Sequence, residues 1–184
     1  MTGIRCFVAV ELPKSMREEI GRVNGSIATE GLRLVKPELM HITMKFLGDV
    51  PQGMVGKVSE ALGRVRAAPI SVQVKGIGSF PGRAVRVVWL GLNADFRKLH
   101  EGIECELKPL GFPPDERGFS PHVTLGRVAH PSSEMSRLLG SRMATLSDLD
   151  LGSFTADRFY LKKSTLTRGG PIYENLAEFP LRDL

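Results

Sequence analysis

The sequence predicts an α+β protein with largely antiparallel sheets. Three observations carry that prediction. Strand-like runs alternate with amphipathic helical stretches along the chain. Some strand pairs are joined by tight turns, around Gly82 and Gly169, far too short for a parallel crossover. No linker, charge run or low-complexity tract divides the 184 residues, so residues 1–184 are expected to form a single domain.

Arg5 to Val10 (RCFVAV) reads as the opening strand, and Pro13 sits where the first turn of a helix tolerates it. Met16, Ile20, Val23 and Ile27 then recur at helical spacing, with Gly31 expected to end that helix. Leu32 to Val35 is a short strand candidate. Met40 to Leu47 (MHITMKFL) reads as a strand closed by Gly48-Asp49. A second helix is expected over Gln52–Ala67, with Met54, Val58, Leu62 and Val65 on one face. Ile70 to Val74 alternates like a half-buried strand, Ser79 to Arg83 is a turn, and Ala84 to Leu92 is a more buried strand. A third helix is expected over Ala94–Leu110, and two prolines with flanking glycines make Gly111–Gly118 a loop. Ser120 to Val128 (SPHVTLGRV) is a strand and Ser132 to Met143 a short helix. Leu151 to Leu166 holds at least one strand. Arg168 to Pro171 is a turn, and Ile172 to Phe179 is the last strand.

Composition excludes several classes. Apolar residues make up 42% and charged residues 24%, which is ordinary for a folded domain. Two cysteines, Cys6 and Cys105, are too few for a disulfide framework, so a reducing compartment is expected. The longest apolar stretch, Val87 to Leu92, is far short of a membrane span. The N-terminal segment lacks a signal-peptide cleavage site. A soluble, cytoplasmic protein without a membrane partner follows as the expectation. The net charge of +5 suits a polyanionic partner without requiring one.

The chemical signal is one tetrapeptide written twice: His41-Ile42-Thr43-Met44 and His122-Val123-Thr124-Leu125. In a strand, residues i and i+2 share a face. Each segment therefore presents an imidazole beside a hydroxyl and turns its aliphatic residues the other way. Two such strands facing one cleft suit in-line attack at a phosphodiester. One neutral histidine takes a proton from the attacking oxygen, and one protonated histidine gives a proton to the leaving oxygen. The threonine hydroxyls donate to the non-bridging oxygens. Either tetrapeptide alone is an ordinary half-exposed sheet pattern; the repetition, in a chain with four histidines, gives it weight. A zinc site would need further ligands, and no Cys, Asp or Glu stands at a recognisable spacing. No Walker-type loop is present to hold a nucleoside triphosphate.

On these residues the chain resembles the 2H phosphoesterase superfamily, and within it the RNA 2′,3′-cyclic phosphodiesterases, also called 2′-5′ RNA ligases. The similarity extends to RCFVAVELP, KPELMHITMKFLGDV, VRVVWLGL, FSPHVTLGRV and LKKSTLTRGGPIYENLAEFPL, and so covers nearly the whole chain. Arg168 stands where the family often has Pro, and Gly126 where another small residue is common. The resemblance implies a bilobal domain: two similar lobes, each with an antiparallel sheet and outer helices, around a central cleft. It implies His41 as the proton donor to the departing 3′ oxygen, His122 as the proton acceptor that activates water, and Thr43 and Thr124 as phosphate holders. No metal and no cofactor would be required. The substrate would be RNA ending in a 2′,3′-cyclic phosphate, tRNA fragments among the candidates, and the product a 2′-phosphate. The reverse reaction would join a 5′-hydroxyl to give a 2′-5′ linkage. A monomer is the default. The competing readings are a phosphodiesterase for another cyclic or 2′-5′ linked nucleotide, and a non-catalytic RNA-binding module.

Other residues divide less cleanly. Arg127 is a phosphate-clamp candidate because guanidinium pairs with phosphate bidentately. Strict alternation from His122 places it on the opposite face, so it reaches the cleft only if the strand ends, twists or bulges near Gly126. Alternation from Thr43 keeps Lys45 on the cleft side, where it would attract RNA. Phe7 and Phe46 suit either base stacking or the core. Lys162, Lys163, Arg168 and Tyr173 form either a basic-aromatic rim or solvated surface. His100 reads as structural or surface, His130 as an exposed loop residue, and both cysteines as inert.

Overall fold

The structure, a computed structural model, describes residues 3–80, 82–115 and 118–182. The expected turn at 79–83 and the loop at 111–118 lie partly outside them, at Pro81 and at Glu116-Arg117. The element order is β1 (Ile4–Glu11), α1 (Lys14–Ile27), β2 (Leu32–Leu34), β3 (His41–Val50), α2 (Val55–Leu62), β4 (Ile70–Ser79), β5 (Val87–Asn93), α3 (Arg97–Leu107), β6 (His122–Val128), α4 (Ser133–Ala144), β7 (Asp150–Ala156), β8 (Arg158–Thr167) and β9 (Gly170–Pro180). Among the described residues no helix is long and apolar enough to cross a membrane.

Most departures from the sequence expectation are at element ends. α1 stops at Ile27, and Gly31, in the left-handed region at φ +83°, makes the turn into β2 instead of ending the helix. β3 continues through Gly48-Asp49 to Val50. The second helix is one turn of 3₁₀ (Gln52–Met54) followed by α2, which ends at Leu62. Val65 nevertheless stays buried because it packs on Gly102 of α3, where a Cβ would lie 3.0 Å from it. α3 ends at Leu107 because Pro109 cannot continue it, and a 3₁₀ turn over Lys108–Leu110 follows. Ser132 caps α4, its hydroxyl accepting from the Met135 N–H at 3.0 Å. The 151–166 stretch holds two strands, β7 and most of β8.

All pairings are antiparallel, and nine strands form one sheet in the order β7-β4-β5-β6-β3-β1-β8-β9, with β2 paired to β6. The sheet has two four-stranded halves, β9-β8-β1-β3 and β7-β4-β5-β6. They meet at one residue pair, Ile42 opposite Val123. A two-fold rotation at that pair exchanges β3 with β6 and β1 with β5. The two halves are thus joined in one continuous sheet.

One face of this sheet is aliphatic. Val8, Val10, Ile42, Met44, Leu90, Val123, Leu125 and Leu161 form a single cluster with Ile20, Val58, Leu99, Ile103 and Leu139 from the four helices. Each fully buried Leu or Ile contributes roughly 1.5–3 kcal/mol. With the helices drawn to that side, the opposite face is left for ligands.

β2 and β3 lie end to end along the same edge of β6. Leu32, Arg33 and Leu34 pair with Val128, Arg127 and Gly126. The Val35 N–H then donates to the Leu125 carbonyl at 2.8 Å, and the chain leaves through a 3₁₀ turn over Pro37–Leu39 before β3 returns at Ile42. This close approach depends on Gly126, where a Cβ would sit 3.0 Å from Leu32 Cδ1 and 3.2 Å from the Arg33 carbonyl oxygen. Gly126→Ala is expected to push β2 outward and cost about 1–3 kcal/mol of stability, read as a lower urea midpoint at unchanged slope. An unchanged midpoint would show that β2 is held loosely.

Candidate active site

The seam between the two halves carries both tetrapeptides. Continuing the Ile42–Val123 register by one residue places His41 across from Thr124 and Thr43 across from His122. His41 and His122 are then diagonal cross-strand neighbours, with Cα atoms about 7–8 Å apart. Ile42 and Val123 are fully buried, whereas all four polar residues are half-buried on the opposite face. The period-two reading of both motifs therefore holds.

At the last residue of each motif, both strands bulge. On β6, Thr124 pairs with Trp89 and Gly126 with Val88, so Leu125 is an extra residue. On β3, Thr43 pairs with Ala9 and Lys45 with Val8, so Met44 is extra. A bulge shifts every later side chain to the other face. Arg127 accordingly shares the face of His122 and Thr124, because its partner Val87 alternates regularly with Trp89 and Gly91 on β5. Lys45 is moved the other way. Contrary to the expectation from alternation, it is buried beneath the sheet, with Nζ 2.7 and 2.8 Å from the Glu104 carboxylate and 2.8 Å from the Pro113 carbonyl. Lys45 is thus a buried ion pair tying β3 to α3 and the loop before β6, and it does not reach a ligand.

Both imidazoles are held alike. His41 Nδ1 donates to the Leu39 carbonyl at 2.8 Å and His122 Nδ1 to the Ser120 carbonyl at 2.7 Å, each two residues upstream. That bond fixes the tautomer and leaves Nε2 free on each ring. Phe7 and Tyr173 pack on His41, with centroids 4.9 and 5.3 Å away, and Phe80 meets His122 edge-on at 4.9 Å. Burial depresses the pKa of both. His41 falls to about 4, with the charges of Lys162 and His122 adding to the effect. His122 is lowered too, and the Arg127 charge contributes. These shared influences place His41, His122 and Arg127 in one electrostatic environment.

The remaining candidates separate. Phe7 is buried, yet it belongs to the ligand face beneath His41, Phe46 and Tyr173 and not to the main core. Phe46 is 62% exposed, a bare ring beside the seam. Lys162 is buried in a polar cluster with Glu11 and Asn175, and Lys163 pairs with Glu174 at 2.8 Å, so neither is a free rim cation. Arg168 lies exposed at the β8–β9 turn, away from the motifs. His100 stacks on Phe119 at 4.2 Å and approaches Glu104 at 3.5 Å, a structural position. His130 is exposed, Cys105 is exposed, and burial raises the Cys6 thiol. Sequence reasoning missed Glu11, which lies across from His41 in the β1–β3 register. Burial works to raise its carboxyl, but hydrogen bonds from Lys162 and Asn175 bring it below its ordinary value. With Arg17, Tyr173 and His41 it lines a cavity of about 210 Å³. No sequence pattern marks this cluster, which only the β1–β8–β9 pairing assembles. Among the described residues, no group of three or more His, Cys, Asp or Glu could hold a metal ion.

Comparison with known proteins places the chain among phosphoesterases. The family model of LigT-like phosphoesterases matches residues 10–89 and 91–173, and each segment contains one tetrapeptide. A Methanocaldococcus jannaschii protein named RNA 2′,3′-cyclic phosphodiesterase is 37% identical over 96% of this chain and 100% of its own. One of the same name from Methanothermobacter thermautotrophicus is 33% identical over 97% and 99%. Among solved structures, a Thermus thermophilus protein superposes with a TM-score of 0.82 at 29% identity over 97% of this chain and 98% of its own. Escherichia coli LigT complexed with 3′-AMP superposes with a TM-score of 0.79 at 26% identity over 98% and 99%.

The Lys45 placement has a measurable consequence. Lys45→Ala would leave the largely covered Glu104 carboxylate without its cation, and is expected to lower stability by about 3 kcal/mol. Chemical denaturation checks this; a variant as stable as the parent would mean that Glu104 does not depend on the pair.

Proposed function

The chain belongs to the LigT-like phosphoesterase family, and we propose that it hydrolyses RNA 2′,3′-cyclic phosphate ends to 2′-phosphate ends without a metal ion. Residues 1–184 act as one bilobal domain in this reading. The names of its relatives and the 3′-AMP in a structural neighbour point to the substrate. The observation that carries it is the pair of imidazoles, each with Nδ1 bonded to its own backbone and Nε2 free, displayed diagonally across the seam with a threonine opposite each.

The steps follow from that arrangement. His122 Nε2 takes a proton from water as its oxygen attacks phosphorus. His41 Nε2 gives a proton to the departing 3′ oxygen, so the P–O3′ bond breaks and the phosphate remains on the 2′ oxygen. Thr43 and Thr124 donate hydrogen bonds to the non-bridging oxygens, and Arg127 offsets their negative charge. With an RNA 5′-hydroxyl in place of water, the same step joins phosphorus to the 5′ oxygen as the P–O3′ bond breaks, leaving a 2′-5′ linkage and a free 3′-hydroxyl.

The depressed pKa values add a condition. At neutral pH both rings of the free protein are uncharged, which suits His122 as a base and leaves His41 without the proton it must give. A bound phosphate anion reverses the balance by favouring the imidazolium. Substrate thus helps create its own acid.

Two outcomes test this. His41→Ala and His122→Ala should each lower turnover of a nucleoside 2′,3′-cyclic phosphate by about 10²–10⁴-fold, with EDTA without effect; substantial activity in both variants would end the reading, and binding without turnover in the parent would make the protein an RNA-binding module. The pH profiles give the second. Since kcat/KM reports the free protein, in which both folded-state pKa values lie below the ordinary 6.5, it should fall with rising pH above about 6.5, while the kcat limb lies at higher pH. A kcat/KM that rises through neutrality would contradict His41 as the acid.

A further inference from the structure

The ligand face of the seam is a ladder of cross-strand pairs. Extended by one residue each way, the Ile42–Val123 pairing sets Thr43 across from His122 and His41 across from Thr124, and beyond the bulge Arg33 pairs with Arg127. Residues directly opposite in an antiparallel pair share a face. Arg33 therefore lies on the same face as the histidines, and it is exposed, as is Arg127. Like charges directly opposite one another destabilise a sheet. Among the described residues neither guanidinium has a carboxylate within ion-pair distance. Two unneutralised arginines on one rung, next to a phosphate site, form a seat for a second anion.

The two arginines have different reach. Arg127 lowers the pKa of both His122 and Tyr173, so its charge acts on the motif site. Arg33 stands on β2, beyond the Leu125 bulge from His122 and Thr124, so its charge lies farther along the seam. β2 is three residues long, and Leu32 is buried, so Arg33 is the side chain that this short strand delivers to the ligand face. The backbone bond from Val35 to Leu125 and the close packing at Gly126 hold it there.

We propose that Arg33 binds the phosphodiester one nucleotide upstream of the cyclic phosphate, and so makes the protein favour an RNA end over a mononucleotide. This rests on the substrate reading above, since an RNA that ends in a 2′,3′-cyclic phosphate has its other phosphates only on the 5′ side. The phosphate contact selects for chain and not for base.

The test compares a nucleoside 2′,3′-cyclic phosphate with a dinucleotide bearing the same cyclic end, the shortest substrate with an upstream phosphate. The ratio of kcat/KM for the dinucleotide to that for the mononucleotide should exceed one in the parent, and should fall about tenfold in Arg33→Gln, the loss of one charge-assisted contact. Arg33→Lys should recover part of it. The salt dependence of the dinucleotide reaction should weaken by about one ion. Because removing one of two opposed cations relieves repulsion, Arg33→Gln should melt no lower than the parent. A ratio equal to the parent's, or a parent without preference for the dinucleotide, overturns the proposal while leaving the phosphodiesterase reading intact. A parent inert on both substrates overturns both.

Discussion

One backbone pairing, Ile42 against Val123, sets everything else in this molecule. Among the described residues it is the one hydrogen-bonded pairing between β3 and β6, and both residues are wholly buried. A strand that slips by one residue turns every side chain to the other face. Here a slip would bury two imidazoles and two hydroxyls and expose Ile42, Met44, Val123 and Leu125. The hydrophobic requirement of the core thus fixes the placement of groups that have no part in the core.

The seam joins two opposed electrostatic demands. The imidazoles are packed by aromatic rings and pushed toward their neutral form, while the neighbouring rung carries two arginines with no carboxylate partner among the described residues. Glu11, across from His41, is occupied by Lys162 and Asn175. The unpaired charge on this rung is positive, which favours an anionic ligand. Discrimination against uncharged ligands follows without any dedicated contact.

The motif residues were legible because a strand has period two and the sequence says the same thing twice. His41 with Thr43, and His122 with Thr124, needed only that rule. The same rule misplaced Lys45 and left Arg127 open, for a single physical reason. Met44 and Leu125 look like ordinary inward aliphatics, and nothing in them announces that each is a residue too many for its partner strand. The aromatic surroundings of the histidines were hidden differently, since Phe7, Phe80 and Tyr173 come from three distant strands or their ends. Arg33 was invisible because β2 is too short for any periodicity to show which way its middle residue points. The division into two lobes came from resemblance; pattern reading alone reached only the fold class.

The two-fold relation between β3 and β6 is broken at one site on the ligand face. Phe46 and Arg127 occupy equivalent places after the two bulges, one a bare ring and the other a cation. A symmetric cradle would accept a phosphate group in either of two orientations and could not distinguish the attacking oxygen from the departing one. Hydrocarbon at one end and charge at the other removes that degeneracy. With an apolar ring at one end of the seam and a guanidinium at the other, the two ends of the face differ in what they can attract.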